Sequence, residues 1–181
     1  GEKWWNYPIW EKLSEATGLP VYLENDANLA CLAEAVIGRG KNYHYVQFMT
    51  VSTGVGSGLV INKKIYQGAH GFAHEIANIP LWKDGPTHGS IYPGGVEAIC
   101  SGTAITSRAN QAGLNAAHAG EVNDLAESGN ETAMQIIDDA KEFLANAIAI
   151  IYAFIDPDIV ILGGSVALKI PGFVVDVVMR V

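Results

Sequence analysis

The chain has 181 residues, 49% of them hydrophobic, and a formal net charge of −8 at pH 7. This composition predicts a globular protein and excludes a disordered chain. The acidic balance, without any Lys/Arg cluster, argues against a nucleic-acid-binding surface on this segment, and the most apolar stretch is too short to predict a membrane span. Cys31 and Cys100 lack Cys-x-x-Cys spacing and predict free core thiols in a reducing cytoplasm.

The first third of the chain predicts alternating helices and strands. Apolar residues at helical spacing predict a helix that ends at Gly18, and the apolar run 21–23 predicts a short buried strand. An Ala- and Leu-rich helix is expected over 27–37. Three strands should follow, over 45–51, 58–61 and 65–66. Because short turns separate them, they predict an antiparallel meander.

The remainder predicts one long loop and then mainly helices. Residues 68–95 are rich in Gly, His, Pro and Trp with weak periodicity, which indicates an ordered functional loop. Helices are expected over 103–112 and 132–154, the second with a broad apolar face. The continuous apolar run 159–162 predicts a buried strand that leads into Gly163 and Gly164.

Asp26 follows the expected strand and precedes a helix, and this position allows two interpretations. Its carboxylate could be the helix N-cap, which accepts the unpaired N–H groups of the first turn. It could instead be a general base that deprotonates a hydroxyl, while Asn25 binds neighbouring hydroxyls as both donor and acceptor. Spacing alone leaves both alternatives open.

The glycine-rich sequence at 53–58, Thr-Gly-Val-Gly-Ser-Gly, also has two interpretations. It could be a permissive hairpin in which glycines supply positive φ angles. Alternatively, closely spaced backbone N–H groups could cradle a phosphate. The lysine of the common nucleotide-binding loop is missing, so the motif alone is weak evidence for a phosphate site.

Five motifs follow one another along the chain. They are Glu-Asn-Asp-Ala-Asn at 24–28, Thr-Gly-Val-Gly-Ser-Gly at 53–58, Gly-Ala-His-Gly-Phe-Ala-His-Glu-Ile at 68–76, Glu97 with Ser-Gly-Thr-Ala-Ile at 101–105, and Asp-Pro-Asp-Ile-Val-Ile-Leu-Gly-Gly at 156–164. In this order they resemble the ROK family of sugar kinases and sugar-responsive repressors over almost the whole chain. The resemblance implies an α/β, ribonuclease H-like fold of the actin-like ATPase type, in which two lobes close on sugar and ATP.

The resemblance implies a sugar-binding role for several matching residues. Asp26 would be the catalytic base, and Asn25 would bind a sugar hydroxyl. Glu75 and Glu97 would bind ring hydroxyls, although each could instead be a solvated loop charge. Asn78 stands where many family members have a sugar-binding histidine, and it can still donate and accept at a hydroxyl.

The resemblance also implies which residues would bind the nucleotide. Thr53, Gly54 and Gly56 would lie against the ATP phosphates, and Gly163 and Gly164 would lie near the adenosine. Mg²⁺ would accompany the nucleotide transiently, bridging its phosphates.

Many family members also hold a structural zinc with that histidine and a Cys-x-Cys-Gly-x-x-Gly-Cys-x-Glu motif. In this chain the three cysteine positions are occupied by His88, Ser90 and Gly95. No thiolate ligand remains, so we expect no structural zinc. His70, His74 and His88 share a loop and could chelate a metal, although loop histidines more often face solvent or form hydrogen bonds.

Family kinases open with an Asp-x-Gly-Gly-Thr strand-turn that this sequence lacks. We therefore expect residues 1–25 to be the end of an N-terminal lobe with its linker helix, most of that lobe being absent. Residues 26–181 should form a C-terminal sugar-binding lobe, incomplete at its C-terminus, that dimerises. Without the first phosphate loop, the chain alone should be inactive.

Three functions remain after this comparison of motifs. The first is a kinase that phosphorylates a hexose or hexose derivative with ATP, using Asp26 as the base. The alternatives are a repressor of the same family that binds sugar as an effector, and a non-catalytic sugar-binding homologue. Asp26 and the phosphate turn favour catalysis, although a repressor can retain both.

Overall fold

The computed structural model describes residues 6–181, so the first five residues of the predicted segment 1–25 lie outside it. The helices are α1 (Ile9–Thr17), α2 (Asp26–Val36), α3 (Val96–Cys100), α4 (Gly102–Gln111), α5 (Ala119–Glu127), α6 (Glu131–Ile155), α7 (Ser165–Lys169) and α8 (Phe173–Val178). The strands are β1 (Tyr45–Val51), β2 (Val55–Ile61), β3 (Lys64–Ile65) and β4 (Ile159–Gly163). A single 3₁₀ turn, Ile76–Asn78, interrupts the long loop before α3.

The four strands form one mixed sheet in the order β3-β2-β1-β4. β1, β2 and β3 are antiparallel neighbours, which confirms the predicted meander. β4 joins the other edge of β1 and runs parallel to it, with Phe48 opposite Ile161. The chain reaches β4 only after α3 to α6, so these helices form the crossover that a parallel pair requires.

The sheet separates two hydrophobic cores, and β1 contributes to both through its alternating side chains. Val46 packs with Cys31 and Ala35 of α2 in the smaller core. Met49 and Val51 belong to the larger core, which includes residues from every helix from α3 to α8. The result is a three-layer arrangement with α2 on one face of the sheet and the helical layer on the other.

Polar side chains fix the starting points of four helices. The cap residues are Asn25 for α2, Ser101 for α4, His118 for α5 and Asn130 for α6, and each accepts at least one backbone N–H from the first turn. At the other end of α6, Asp156 adopts the left-handed conformation, which ends the helix directly before β4.

Some expectations from the sequence were wrong. Residues 21–23 are not a strand, because none of the described strands pairs with them, and Tyr22 is 89% exposed. β2 begins at Val55, so Gly56 and Gly58 lie inside a strand and not in a turn. Helices α5, α7 and α8 were not individually predicted, since their apolar periodicity is short.

Gly56 and Gly58 allow α2 to pack closely on the sheet. Neither residue has a positive φ angle, so their backbone conformation alone does not require glycine. A Cβ at Gly58 would lie 2.8 Å from Asn28 Oδ1 and 3.0 Å from the Ala27 carbonyl oxygen. A Cβ at Gly56 would lie 3.1 Å from Ala27 Cβ. These glycines therefore bring the N-terminus of α2 against β2.

An aromatic stack connects the long loop to the helical layer. The Trp82 ring stacks on Phe143 of α6, with centroids 5.0 Å apart and 6° between the planes. The guanidinium carbon of Arg108 lies 5.5 Å from the Trp82 centroid, and Arg108 also forms an ion pair with Asp139 of α6. These contacts hold the loop at Trp82 against the helices, in agreement with the prediction that residues 68–95 form an ordered loop.

Both cysteines are free and buried, as predicted. Burial raises the pKa of Cys31 to about 11 and raises that of Cys100 as well, so neither thiol is activated for chemistry. Among residues 6–181, no helix combines the length and apolarity that crossing a membrane requires.

The Gly58→Ala substitution tests the close packing of α2. The added methyl group would overlap Asn28 and push the helix away from β2. We expect a loss of about 1–3 kcal/mol in the free energy of unfolding, measured by urea denaturation. A Gly58→Ala variant with the stability of the wild type would contradict this account.

Candidate functional site

The candidate site lies at the carboxyl ends of β1 and β4. These strands are parallel neighbours, so both ends lie at the same edge of the sheet. In open α/β sheets, ligands bind at such an edge where the chain connections leave in different directions. Residues 52–54, here called turn 52–54, follow β1, and Gly164 follows β4. Two cavities open beside these segments.

Turn 52–54 is held by hydrogen bonds from the helical layer. The Gly102 N–H donates to the Ser52 carbonyl at 2.7 Å. The Thr103 hydroxyl donates to the Thr53 carbonyl at 2.6 Å. On the other side, the hydroxyl oxygens of Ser52 and Ser165 lie 3.1 Å apart. The start of α4 and the start of α7 therefore hold the turn between them.

Glu97 holds the same turn through its carboxylate. Its Oε2 accepts a hydrogen bond from the Val55 N–H at 2.8 Å. A Cβ at Gly54 would lie 2.6 Å from this oxygen, so the contact requires glycine there. Gly54 has no positive φ angle, and the same is true of Gly56 and Gly58. Turn 52–54 joins the antiparallel strands β1 and β2, so this segment does form a hairpin. The expectation that its glycines supply positive φ angles was wrong, because close packing and not backbone conformation requires them.

The N-terminus of α2 presents Asn25 and Asp26. Asn25 is the N-cap, and its Oδ1 accepts from the N–H groups of Ala27 and Asn28 at 2.8 and 3.3 Å. Asp26 is the first helical residue, so the interpretation of Asp26 as the N-cap was wrong. Its Oδ1 also accepts from the Ala27 N–H, at 2.8 Å. Oδ2 of Asp26 and Nδ2 of Asn25 are therefore the atoms that can serve a ligand.

The Glu24 carboxylate links the start of α2 to the loop that follows β3. Its Oε1 accepts from the Asn28 side chain and from the Asn25 N–H, both at 2.9 Å. Its Oε2 accepts from the side chain of Gln67. The bond from Asn28, followed by that from the Asn25 N–H, lowers the pKa of the Glu24 carboxyl. Glu24 therefore stays ionised and orients Asn25.

The first cavity, here called the acidic cleft, has a volume of about 470 Å³ and lies between the start of α2, turn 52–54 and the loop before α3. Of the residues predicted from the sequence, it is lined by Asn25, Asp26, Thr53, Gly54, Gly56, Glu75 and Glu97. The structure thus gathers residues that are up to 72 positions apart, from Asn25 to Glu97, around one space. Carboxylates facing a small cleft suit a ligand with several hydroxyl groups.

His74 also lines the acidic cleft, although its sequence pattern suggested no place in the sugar-binding set. It directly precedes Glu75 and has a φ angle of 67°. Its ring meets the Tyr66 ring edge-on, with centroids 6.1 Å apart. Burial lowers the pKa of His74. Its position next to a predicted ligand was the available signal.

The second cavity, here called the helical groove, has a volume of about 670 Å³. Its lining includes Thr103 from α4, His118 at the start of α5, and Lys169 from α7. Ser52 and Thr53 line both the helical groove and the acidic cleft. Turn 52–54 is therefore the wall that the two cavities share.

Asn78, Gly163 and Gly164 line neither cavity. A Cβ at Gly164 would lie 2.3 Å from the Val51 carbonyl oxygen, and its φ angle of 91° also requires glycine. Gly163 packs against the Phe48 ring, and Asn78 ends the 3₁₀ turn after Glu75. The binding roles of Asn78, Gly163 and Gly164 stay predictions.

Within residues 6–181, no three His, Cys, Asp or Glu side chains are grouped so that they could hold a metal ion. The alternative in which His70, His74 and His88 chelate a metal together is therefore not supported by the structure.

Comparison with known proteins finds curated relatives that are named as sugar kinases. It is 31% identical to a glucokinase from Thermotoga maritima, over 91% of this chain and 56% of that protein. It is 36% identical to an N-acetylmannosamine kinase from Vibrio vulnificus, over 90% of this chain and 55% of that protein. The chain thus spans about half the length of the curated relatives it matches.

Solved structures of both kinases and a transcriptional regulator resemble the chain. A ROK hexokinase from Thermus thermophilus superimposes with a TM-score of 0.91 at 33% identity, over 97% of this chain and 61% of that one. A ROK glucokinase from Streptomyces griseus, in complex with glucose and AMPPNP, gives 0.74 at 29% identity, over 96% and 61%. A ROK family transcriptional regulator gives 0.76 at 25% identity, over 95% and 47%.

These similarities confirm the predicted ribonuclease H-like, actin-like ATPase fold of sugar kinases. The family model that matches residues 2–179 is the one described as the ROK family. With that match over nearly its whole length, the chain belongs to the ROK family.

Proposed function

We propose that the protein containing this chain transfers the γ-phosphoryl group of ATP to a hydroxyl of a hexose or hexose derivative. The observation that carries the proposal is that turn 52–54 separates two cavities and lines both of them. Phosphoryl transfer requires the acceptor hydroxyl to be held close to the γ-phosphate and in line with it, and two cavities that meet at one turn can place a sugar and a nucleotide in this way. The curated relatives named glucokinase and N-acetylmannosamine kinase agree with this reaction.

The sugar is assigned to the acidic cleft. Glu75 and Glu97 accept hydrogen bonds from ring hydroxyls, and Asn25 donates through Nδ2, since its Oδ1 is used in capping α2. Asn78, at the end of the 3₁₀ turn that follows Glu75, is assigned to a further hydroxyl. Because carboxylates hold hydroxyl donors tightly, this set orients the sugar for attack.

Asp26 is the general base of the proposed reaction. As the sugar oxygen forms its bond to the γ-phosphorus, the Asp26 carboxylate takes the hydroxyl proton. The bond between the γ-phosphorus and the bridging oxygen of ADP breaks, and ADP leaves with that electron pair. Asp26 sits where the start of α2 reaches the turn, which suits proton transfer beside the phosphates.

The nucleotide is assigned to the helical groove, with its phosphates at the turn. Thr53 lines both cavities, whereas Gly54 and Gly56 line only the acidic cleft, so the terminal phosphate is assigned to the cleft side of the turn, against these three residues. Gly163 and Gly164 set the path of the chain into α7 near the adenosine. Mg²⁺ neutralises charge on the phosphates and binds chiefly through them and through water, so it needs no dedicated cage of protein ligands.

The chain corresponds to part of a two-lobed protein in this proposal. Residues 1–25 belong to the end of the N-terminal lobe and its linker, and residues 26–181 form the sugar-binding lobe, which alone is inactive. Exposed apolar side chains on α6, among them Met134 and Phe154, offer a surface for a homodimer. Two buried free thiols fit a cytoplasmic protein.

A sugar-responsive repressor is the second candidate, because a ROK family transcriptional regulator superimposes on 95% of this chain. In that case the sugar in the acidic cleft would be an effector, and DNA would bind elsewhere than on this acidic segment. Sugar-dependent binding of the complete protein to its own promoter, without ADP production on any sugar, would favour the repressor.

The Asp26→Asn substitution tests the base assignment. In the complete protein, sugar-dependent ADP production should fall by about 10²–10⁴-fold, while sugar affinity measured by calorimetry changes little. Asp156→Asn is the control, since Asp156 lies outside both cavities and Asn tolerates its left-handed conformation. Turnover by Asp26→Asn at the wild-type rate on any accepted sugar would show that the base is another group.

Glu97 variants separate the two roles of that carboxylate. Glu97→Gln keeps an oxygen for the Val55 N–H but removes the charge, so sugar affinity should fall by about 10-fold with the turn intact. Glu97→Ala removes both contacts and should also raise KM for ATP and speed amide exchange at Val55. If both variants have the same KM for ATP and the same exchange rate, Glu97 does not hold the turn.

A further inference from the structure

His74 has a backbone conformation that requires less conformational energy of glycine than of histidine. Its φ angle is 67°, and two earlier residues of the same loop with positive φ, Gly68 and Gly71, are glycines. Histidine is among the non-glycine residues found most often in this region, and residues held there cluster at functional sites. Because His74 also lines the acidic cleft, its side chain is a candidate for a role there.

The imidazole has polar atoms to offer in the acidic cleft. Its ring meets the Tyr66 ring edge-on, and within residues 6–181 its nitrogens form no hydrogen bond. Because burial lowers the pKa of His74, the ring is neutral at pH 7, so one nitrogen donates while the other accepts.

A hydrogen-bond donor is needed in the acidic cleft because several of its other polar side chains can only accept. Asp26, Glu75 and Glu97 are carboxylates, which only accept hydrogen bonds when ionised. A sugar also carries oxygens that must accept, either hydroxyl oxygens or the carbonyl oxygen of an acylamino substituent. Asn25 Nδ2 and the His74 N–H are side-chain donors positioned for them.

We propose that His74 is a specificity-determining residue that hydrogen-bonds an oxygen of the bound sugar beside Glu75. This inference rests on the proposed function of the acidic cleft as the sugar site. It adds a contact that selects among hexoses and their acylamino derivatives, because only a sugar with an acceptor oxygen at that position uses the His74 donor.

Equilibrium binding to the complete protein tests the proposal without requiring turnover. Calorimetry with glucose, mannose, N-acetylglucosamine and N-acetylmannosamine should show that His74→Gly binds the preferred sugar about 10-fold more weakly, with smaller losses for the others. The Tm of His74→Gly should equal or exceed that of the wild type, since glycine relieves the strain at this φ angle. His74→Asn, which tolerates that conformation and keeps a donor, should recover part of the affinity.

Asp84→Gly is the matched control. Asp84 lies in the same long loop with a φ angle of 56° but does not line the acidic cleft, so its variant should bind every sugar as the wild type does. Equal affinities of His74→Gly and wild type for every sugar would overturn the proposal, and so would a wild type that binds none of them. If the wild type binds sugar and His74→Gly loses it, yet neither produces ADP, the kinase assignment fails while the role of His74 stands.

Discussion

The hydrogen bond from the Val55 N–H to the Glu97 carboxylate is the contact on which the site depends. It joins the start of β2 to the start of α3 and fixes turn 52–54 between them. One oxygen of Glu97 holds the turn, and the same side chain lines the acidic cleft. Glu97 therefore links the acidic cleft to the turn that also lines the helical groove.

The remaining geometry follows from how closely α2 and the chain after β4 approach this turn. Gly56 and Gly58 allow α2 to pack closely against β2. This packing brings Asp26 to the turn from one face of the sheet. Gly164 lets the chain after β4 pass close to Val51 and brings Ser165 beside Ser52. Each approach depends on the absence of a side chain. The glycines that resembled a phosphate motif are thus also the packing points that assemble the cleft.

The sequence predicted the parts of the structure that local patterns encode. The limits of β1 and the long apolar face of α6 follow from periodicity. The ordered motifs contain several of the residues that line the acidic cleft, but Asn78 lines neither cavity, and the binding roles of all these residues stay predictions. The apolar run 21–23 suggested a strand, but a strand needs a partner that no local pattern supplies. The Glu97 contact and the cleft position of His74 depend on residues far apart in the chain or on backbone conformation, so spacing could not predict them.

The central claim is that turn 52–54 separates a sugar from a nucleotide, with Asp26 at the point of transfer. A crystal structure of the complete protein with an accepted sugar and a non-hydrolysable ATP analogue measures this directly. The account predicts the sugar in the acidic cleft with one hydroxyl about 3 Å from an Asp26 carboxylate oxygen, and the terminal phosphate at Thr53 and Gly54. A nucleotide bound away from the helical groove, or a sugar with no hydroxyl near Asp26, would contradict it.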